Sequence, residues 1–271
     1  METSHSKPPL GRVDYDQVQH AGYAKGRALP AASIRHYMDT FAAHLPARRP
    51  LSVVDLGSGT GRFTPALAQT FGGPVWGVEP AAAMRQAAEA GAAHPGVTYL
   101  AGEAAAIPLP DASADVVLMF LSYHHVSDKP AAAREIARVL TPAGRLILRS
   151  TFRERIPDHW WRGFFPRSWA VEEAMFPTEA ETRALFEAAG FATVQSVQME
   201  IPFPFEGNLT AAVERLKLRA VSTFEHMTDE ELDEGFARID AALAAGTLEE
   251  KPTFGDFIVF ERQPISPETR P

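Results

Sequence analysis

The chain has 271 residues, is 45% hydrophobic and 22% charged, and carries a formal charge of −8. That length allows one enlarged domain or a domain with an insertion, and the composition is globular rather than disordered. The acidic balance argues against binding a phosphate backbone, and the absence of cysteine removes disulfides, thiolate nucleophiles and cysteine-based zinc sites.

The first dozen residues are polar, with neither a signal-peptide core nor a bilayer-length apolar run, so a cytoplasmic location with no membrane partner is expected. Residues 14–45 read as mostly helical, interrupted around Gly22–Pro30. The apolar run LSVVDL predicts a strand at 51–56, and Gly57–Gly61 turns into a helix at about 62–71. A second strand is predicted at 74–79, then a helix with Pro80 in its first turn. VTYLA (97–101) and ADVVLMFL (114–121) follow as strands, the second nearly uniformly apolar as a strand buried on both faces should be. An amphipathic helix at 130–140 leads through Pro142–Gly144 into a fifth strand. Later come a helix at 178–189 ended by Gly190, a strand near 191–200, two helices within 208–245 and a last strand at 254–262.

Strands alternating with helices at this spacing imply a parallel sheet built from right-handed crossovers. The expected organisation is a helical lid (1–48), a cofactor-binding core (49–151), an aromatic-rich substrate cover (152–177), a continuation of the core (178–200), a helical insertion (201–250), and a last strand with tail (251–271). Residues 152–177 hold three of the four tryptophans and four phenylalanines. These aromatics suit either a cover over the open end of the sheet or a second small core or dimer contact. A monomer or a homodimer is expected.

The loop Asp55-Leu56-Gly57-Ser58-Gly59-Thr60-Gly61 carries the chemistry. Glycines allow a sharp turn and close approach of a ligand, and the helix opened by the loop offers free N–H groups. A dinucleotide loop places its third glycine three residues after the second. Here it comes two after, and Arg62 stands where that motif wants glycine. Asp55 would repel a pyrophosphate but can orient an ammonium-bearing methionine tail.

VVDLGSGTGRFTPALA resembles motif I of class I S-adenosylmethionine-dependent methyltransferases, with the ubiquinone/menaquinone-biosynthesis-like, type 11 branch as the best match. The likeness continues through GVEP (77–80), AGEAAAIPLPDASADVVLMFLSYHHVSD (101–128) and REIARVLTPAGRLIL (134–148), in order across roughly residues 50–150. It implies a Rossmann-like α/β fold with a seven-stranded sheet, helices on both faces and an added helical and aromatic cover. It implies S-adenosyl-L-methionine as cofactor, held by Asp55, Gly57, Ser58, Gly59, Gly61, Glu79, Pro80, Glu103, Ala104 and Phe120. In the family pattern Glu79 takes the ribose hydroxyls and Glu103 the adenine amino group. Two positions depart from the pattern. Glu103 replaces the commoner Asp, and Ala143 replaces the first glycine of a Pro-Gly-Gly turn, which a negative φ would tolerate.

Tyr123, His124 and His125 follow the fourth strand, where the methyl group is expected, and either imidazole is a candidate base. A structural role for the His-His pair is the competing expectation, and no metal site is expected. Tyr15, Tyr23 and Arg27 resemble a segment that closes over the cofactor in small-molecule methyltransferases, with Arg27 near its carboxylate. Trp160, Trp161, Phe164, Phe165, Trp169 and Phe176 suggest a small apolar or aromatic acceptor. Arg153, Arg155, Arg162 and Arg167 are candidates for holding an acidic group, and His159 and His226 for lining the pocket. The expected reaction is methyl transfer to O, N or C of that acceptor, in specialised metabolism. Competing readings are methylation coupled to cyclisation, a non-catalytic cofactor-binding module, an RNA or protein methyltransferase, and a nicotinamide dehydrogenase.

Overall fold

The β-branched and leucine-rich runs pair into one seven-stranded sheet in a computed structural model that describes residues 25–201, 205 and 207–264. The strands are β1 (Leu51–Leu56), β2 (Gly72–Glu79), β3 (Val97–Ala101), β4 (Ala114–Phe120), β5 (Leu140–Ser150), β6 (Phe191–Ile201) and β7 (Thr253–Arg262). The helices are α1 (Ala31–Ala43), α2 (Thr64–Phe71), α3 (Ala82–Gly91), α4 (Lys129–Val139), α5 (Ser168–Met175), α6 (Glu179–Ala188), α7 (Leu209–Leu216) and α8 (Asp229–Ala244).

Strand order is β3-β2-β1-β4-β5-β7-β6. Pairing is parallel from β3 through β5, but β7 lies antiparallel between β5 and β6. Alternation of strands and helices predicts only parallel neighbours. It misses β7 because the chain reaches that strand through α7 and α8 instead of a single crossover helix. Pro80 also lies outside its helix, one residue before the N-cap Ala81.

The period of two along each strand sorts the core into two layers. Val54, Leu56, Val117, Met119, Leu146, Leu148, Ile258 and Phe260 pack with Ile136 of α4 and Phe186 of α6. Val53, Val116, Leu118, Ile147, Phe257 and Val259 meet Tyr37 and Phe41 of α1 and Leu67 and Phe71 of α2 on the other face. Fully burying each such side chain contributes about 1.5–3 kcal/mol.

Polar residues of the motifs fix the loops. Asp115 accepts from Ser52 and pairs with Arg48 at 2.7 Å, joining the starts of β1 and β4. Arg138 pairs with Glu135 and Asp111 and donates to the carbonyls of Ile107 and Leu109, pinning the chain between β3 and β4. α6 and α8 each begin with a capping box, Thr178/Glu181 and Thr228/Glu231.

A third core lies apart from the sheet. Trp161 and Phe165 pack with Val213 and Leu216 of α7, Phe224, and Phe236 and Ile239 of α8. Arg162 is fully buried there, paired with Glu172 at 2.7 Å, and Glu172 also accepts from Thr223. The aromatic segment and the helical pair are thereby one packed unit, which realises the second-core expectation for Trp161 and Phe165.

Ala143 contradicts the expectation of a negative φ. Residues 141–144 loop out of the β4–β5 ladder, where Leu140 pairs with Ala114 and Arg145 with Val116, and Ala143 sits at φ 60°. A side chain in that left-handed region costs roughly 1–2 kcal/mol. Ala143→Gly should therefore raise the free energy of unfolding by about 1 kcal/mol, after the flexibility glycine adds to the unfolded chain. Urea denaturation checks this, and an unchanged or lowered midpoint would show that the turn is unstrained.

Candidate functional site

Strand order reverses between β1 and β4, so the loops leaving their carboxyl ends diverge and leave a crevice. The glycine loop forms one wall. Gly57, Gly59 and Gly61 hold φ values of 76°, 56° and 77°, a backbone that other residues adopt only with strain. A Cβ on Gly57 would lie 2.6 Å from Cβ of Ser122, and one on Gly61 would lie 2.3 Å from the Tyr99 hydroxyl. Ser122, just beyond β4, donates its hydroxyl to the Leu56 carbonyl at 2.9 Å and ties the two loops together.

A cavity of about 240 Å³ occupies this crevice. Gly57, Gly59, Glu79, Pro80, Glu103, Ala104, Phe120 and His125 line it, so eight expected site residues converge from four strand ends. Glu79 is almost fully buried and accepts from the amides of Gly59, at 2.9 Å, and Ala81, at 3.0 Å. Its carboxylate faces the loop across the mouth of β1. Met84, Ser122, Ser127 and Asp128 also border the cavity. Met84 lies outside the motifs, and Ser122, Ser127 and Asp128 lie within the 101–128 stretch but were passed over for the neighbouring His-His pair.

Other expected residues sit elsewhere. Asp55, Ser58 and Gly61 do not line the cavity. Tyr123 is buried against Phe186, and burial pushes its hydroxyl up to about 12. His124 is buried between His125 and Phe176, with no hydrogen-bond partner for either ring nitrogen among the described residues. Burial first, then the charges of His125, Arg27 and Lys129, holds its pKa well below the ordinary histidine value. Tyr123 and His124 thus line neither cavity, contrary to their expected place at the reacting end. Tyr15 and Tyr23 lie outside the described residues.

A second cavity of about 280 Å³ adjoins the first, sharing Phe120 and Leu121 as lining. Leu121 holds φ 54°, a strained conformation of the kind that clusters at functional sites. Phe120 is flanked by the guanidiniums of Arg62 at 5.3 Å and Arg149 at 5.8 Å, and Tyr37 meets it edge-on at 5.0 Å. Arg27 lines this second cavity and not the first, together with His159, Trp160, Trp161 and Phe205. His159 stacks on Trp161 at 5.5 Å. Burial, reinforced by Arg162, Arg149 and Arg27, pushes its pKa down to about 3, so its ring is neutral at neutral pH.

The arginines expected to meet an acid are engaged in the fold. Arg155 pairs with Asp256 and Glu179, Arg162 with Glu172, and Arg167 with Glu231, while Arg153 donates to the Phe176 carbonyl. Trp169 is exposed and outside both cavities, and His226 is buried outside both. Among the described residues no group of three or more His, Asp or Glu could hold a metal ion, and no helix is long and apolar enough to cross a membrane.

Asp55 has a measurable signature. Its carboxyl is buried beneath the loop and accepts from the Thr64 hydroxyl at 2.7 Å, and burial raises its pKa to about 6 despite that bond and Arg62. The folded state therefore favours the protonated acid. That stabilisation is complete below about pH 4 and is lost as the pH rises through 6. Asp55→Asn should raise the melting temperature of the ligand-free protein at pH 7.5 by about 2–4 °C, the shift that ~1 kcal/mol gives a chain of this size, and by less at pH 4. Thermal melts at the two pH values check this, and an equal shift at both would assign the gain to something other than ionisation.

Residues 54–148 match a methyltransferase-domain family model, the span from β1 through β5 that walls the first cavity. Over 146 residues, 49% of this chain, the sequence is 31% identical to a rice protein named a probable tocopherol O-methyltransferase. Over 158 residues, 54% of this chain, it is 30% identical to a demethylmenaquinone methyltransferase of Deinococcus radiodurans. The chain spans 40% and 66% of the lengths of these two relatives. A solved structure from Anabaena variabilis, assigned as a methyltransferase of an antibiotic biosynthesis pathway, superposes with a TM-score of 0.71 at 23% identity and covers 83% of this chain and 96% of its own. That likeness shows a shared fold. The matched sequence spans the glycine loop, Glu79 and the β4–β5 turn, and across residues 54–148 the chain carries a methyltransferase domain.

Proposed function

We propose that this protein transfers the methyl group of S-adenosylmethionine to a small molecule with an apolar or aromatic body. One observation carries the reading: the glycine-loop cavity and a second, aromatic-lined cavity meet at Phe120 and Leu121. A cofactor in the first would thereby present its reactive end to an acceptor in the second.

The residues present fit the cofactor. Gly57 leaves room beside Ser122 that a Cβ would fill, and Glu79 offers a buried carboxylate whose ligand-free partners are backbone amides. Glu79 would accept from the ribose hydroxyls, Glu103 and Ala104 would border the adenine, and Asp55 would act on the charge of the methionine tail from beneath the loop. When bound, S-adenosylmethionine supplies the methyl group: the acceptor's lone pair forms the new bond to carbon as the carbon–sulfur bond breaks, its electrons passing to sulfur. The protein's part is alignment of the two reactants, which supplies much of such an acceleration. Where the acceptor must lose a proton, we assign it to His125, which alone among Tyr123, His124 and His125 lines the cofactor cavity.

Calorimetry with S-adenosylhomocysteine tests the cofactor half. Glu79→Ala should weaken binding about 10- to 100-fold, the effect of losing one or two hydrogen bonds to a charged group. Wild-type affinity in that variant would remove Glu79 from the ribose site. Turnover is tested by following S-adenosylhomocysteine formation with and without a small-molecule extract. His125→Ala, compared with the wild type at saturating cofactor, should lower the turnover number and flatten its pH profile. An unaltered profile would leave alignment alone as the mechanism.

A further inference from the structure

The second cavity is lined by charge as well as by aromatic rings. Arg27, Arg62, Arg149 and Arg215 all border it, while its two carboxylates, Glu200 and Glu250, belong to exposed residues. Arg149, at the end of β5, is the most informative of the four. It is 3% exposed, and its Nη1 donates to the Ser150 carbonyl at 2.5 Å. Its Nε has no hydrogen-bond partner among the described residues. Tyr37 reaches it through its hydroxyl and Asp256 through its field, and Oδ1 of Asp256 accepts from Arg155 Nε at 2.9 Å.

Room for this guanidinium is provided by the neighbouring strand. A Cβ on Gly255 of β7 would lie 2.1 Å from Nη2 and 2.4 Å from Cζ of Arg149. Arg215 of α7 enters from the opposite side, donating Nε to the Gly26 carbonyl and lying over the Phe205 ring at 5.1 Å. Neither Arg149 nor Arg215 forms an ion pair among the described residues. Burying a cation without a counter-ion costs several kcal/mol, so a fold that keeps one against a cavity has a use for it when the cavity is filled.

We infer that the acceptor is a small organic anion, its acidic group held by Arg149 within the field of Arg215 across the same cavity and its apolar body lying among Trp160 and Trp161. This inference rests on the methyltransferase reading for the word acceptor, but the anion site itself does not. The guanidinium fork matches the two oxygens of a carboxylate and those of a phosphate monoester alike. The Arg149 guanidinium lies 5.8 Å from the Phe120 ring, so its charge fixes which end of the molecule is seated beside Phe120 and Leu121.

The test uses the full chain saturated with S-adenosylhomocysteine and four probes in calorimetry: indole-3-acetate, its methyl ester, phenyl phosphate and phenol. The acids should bind at millimolar or lower concentration, and each neutral partner about 10-fold or more weakly. A stronger carboxylate than phosphate response assigns the group as carboxylate, and the reverse as phosphate. Arg149→Leu should abolish the difference between acid and ester, and Arg215→Gln, at a half-buried site less prone to unfold the chain, should reduce it. Both variants should keep wild-type affinity for S-adenosylhomocysteine. Equal binding of acids and neutral partners, no binding of any acid, or an undiminished acid preference in both variants would overturn the inference. Failure of the methyltransferase reading would look different: no S-adenosylhomocysteine binding, with acid preference intact.

Discussion

Everything in the site depends on one stretch of backbone that must turn left-handed three times in five residues. Gly57, Gly59 and Gly61 make that turn without strain, and the turn delivers the Gly59 amide to the Glu79 carboxylate. The contact joins the ends of β1 and β2, while Ser122 joins β1 to the chain leaving β4. Three strand ends are thus held around one crevice before any ligand arrives. Preorganisation of this kind matters for a reaction whose protein contribution is chiefly alignment.

The same loop explains why Asp55 is tolerated. A buried carboxyl that is partly protonated near pH 6 weakens the ligand-free fold at neutral pH. In the proposed function, its ionised carboxylate would be a fixed negative charge favouring a cationic ligand at the loop. Stability and binding therefore pull in opposite directions at this residue. Arg149 is a buried charge of the opposite sign at the second cavity.

Much of the fold was legible because local patterns set it. The strands at 51–56 and 97–101 lie where apolar, β-branched runs put them, and the end of α6 follows from Gly190 at φ 88°. Residues of the cofactor cavity were legible in another way: Gly57 through its glycine loop, and Glu79, Glu103 and Phe120 through the resemblance of their motifs to methyltransferases. The second cavity was not. Its guanidiniums come from positions 27, 62, 149 and 215, which no short-range pattern connects. The arginines that drew attention by interleaving with tryptophans are consumed by ion pairs, Arg162 and Arg167 around the third core and Arg155 with Glu179 of α6 and Asp256 of β7. Tyr123 and His124 misled for a simpler reason. A residue's distance in sequence from a strand end does not tell which way its side chain turns, and these two turn into the core.

The central claim is that two cavities, meeting at Phe120 and Leu121, hold cofactor and acceptor side by side. A crystal structure of the protein with S-adenosylhomocysteine tests it most directly. The account predicts the ribose against Glu79, the adenine beside Glu103 and Ala104, and the sulfur next to Phe120 and Leu121 with the second cavity open before it. Density for the nucleoside in the arginine-lined cavity, or a sulfur turned away from Leu121, would contradict it.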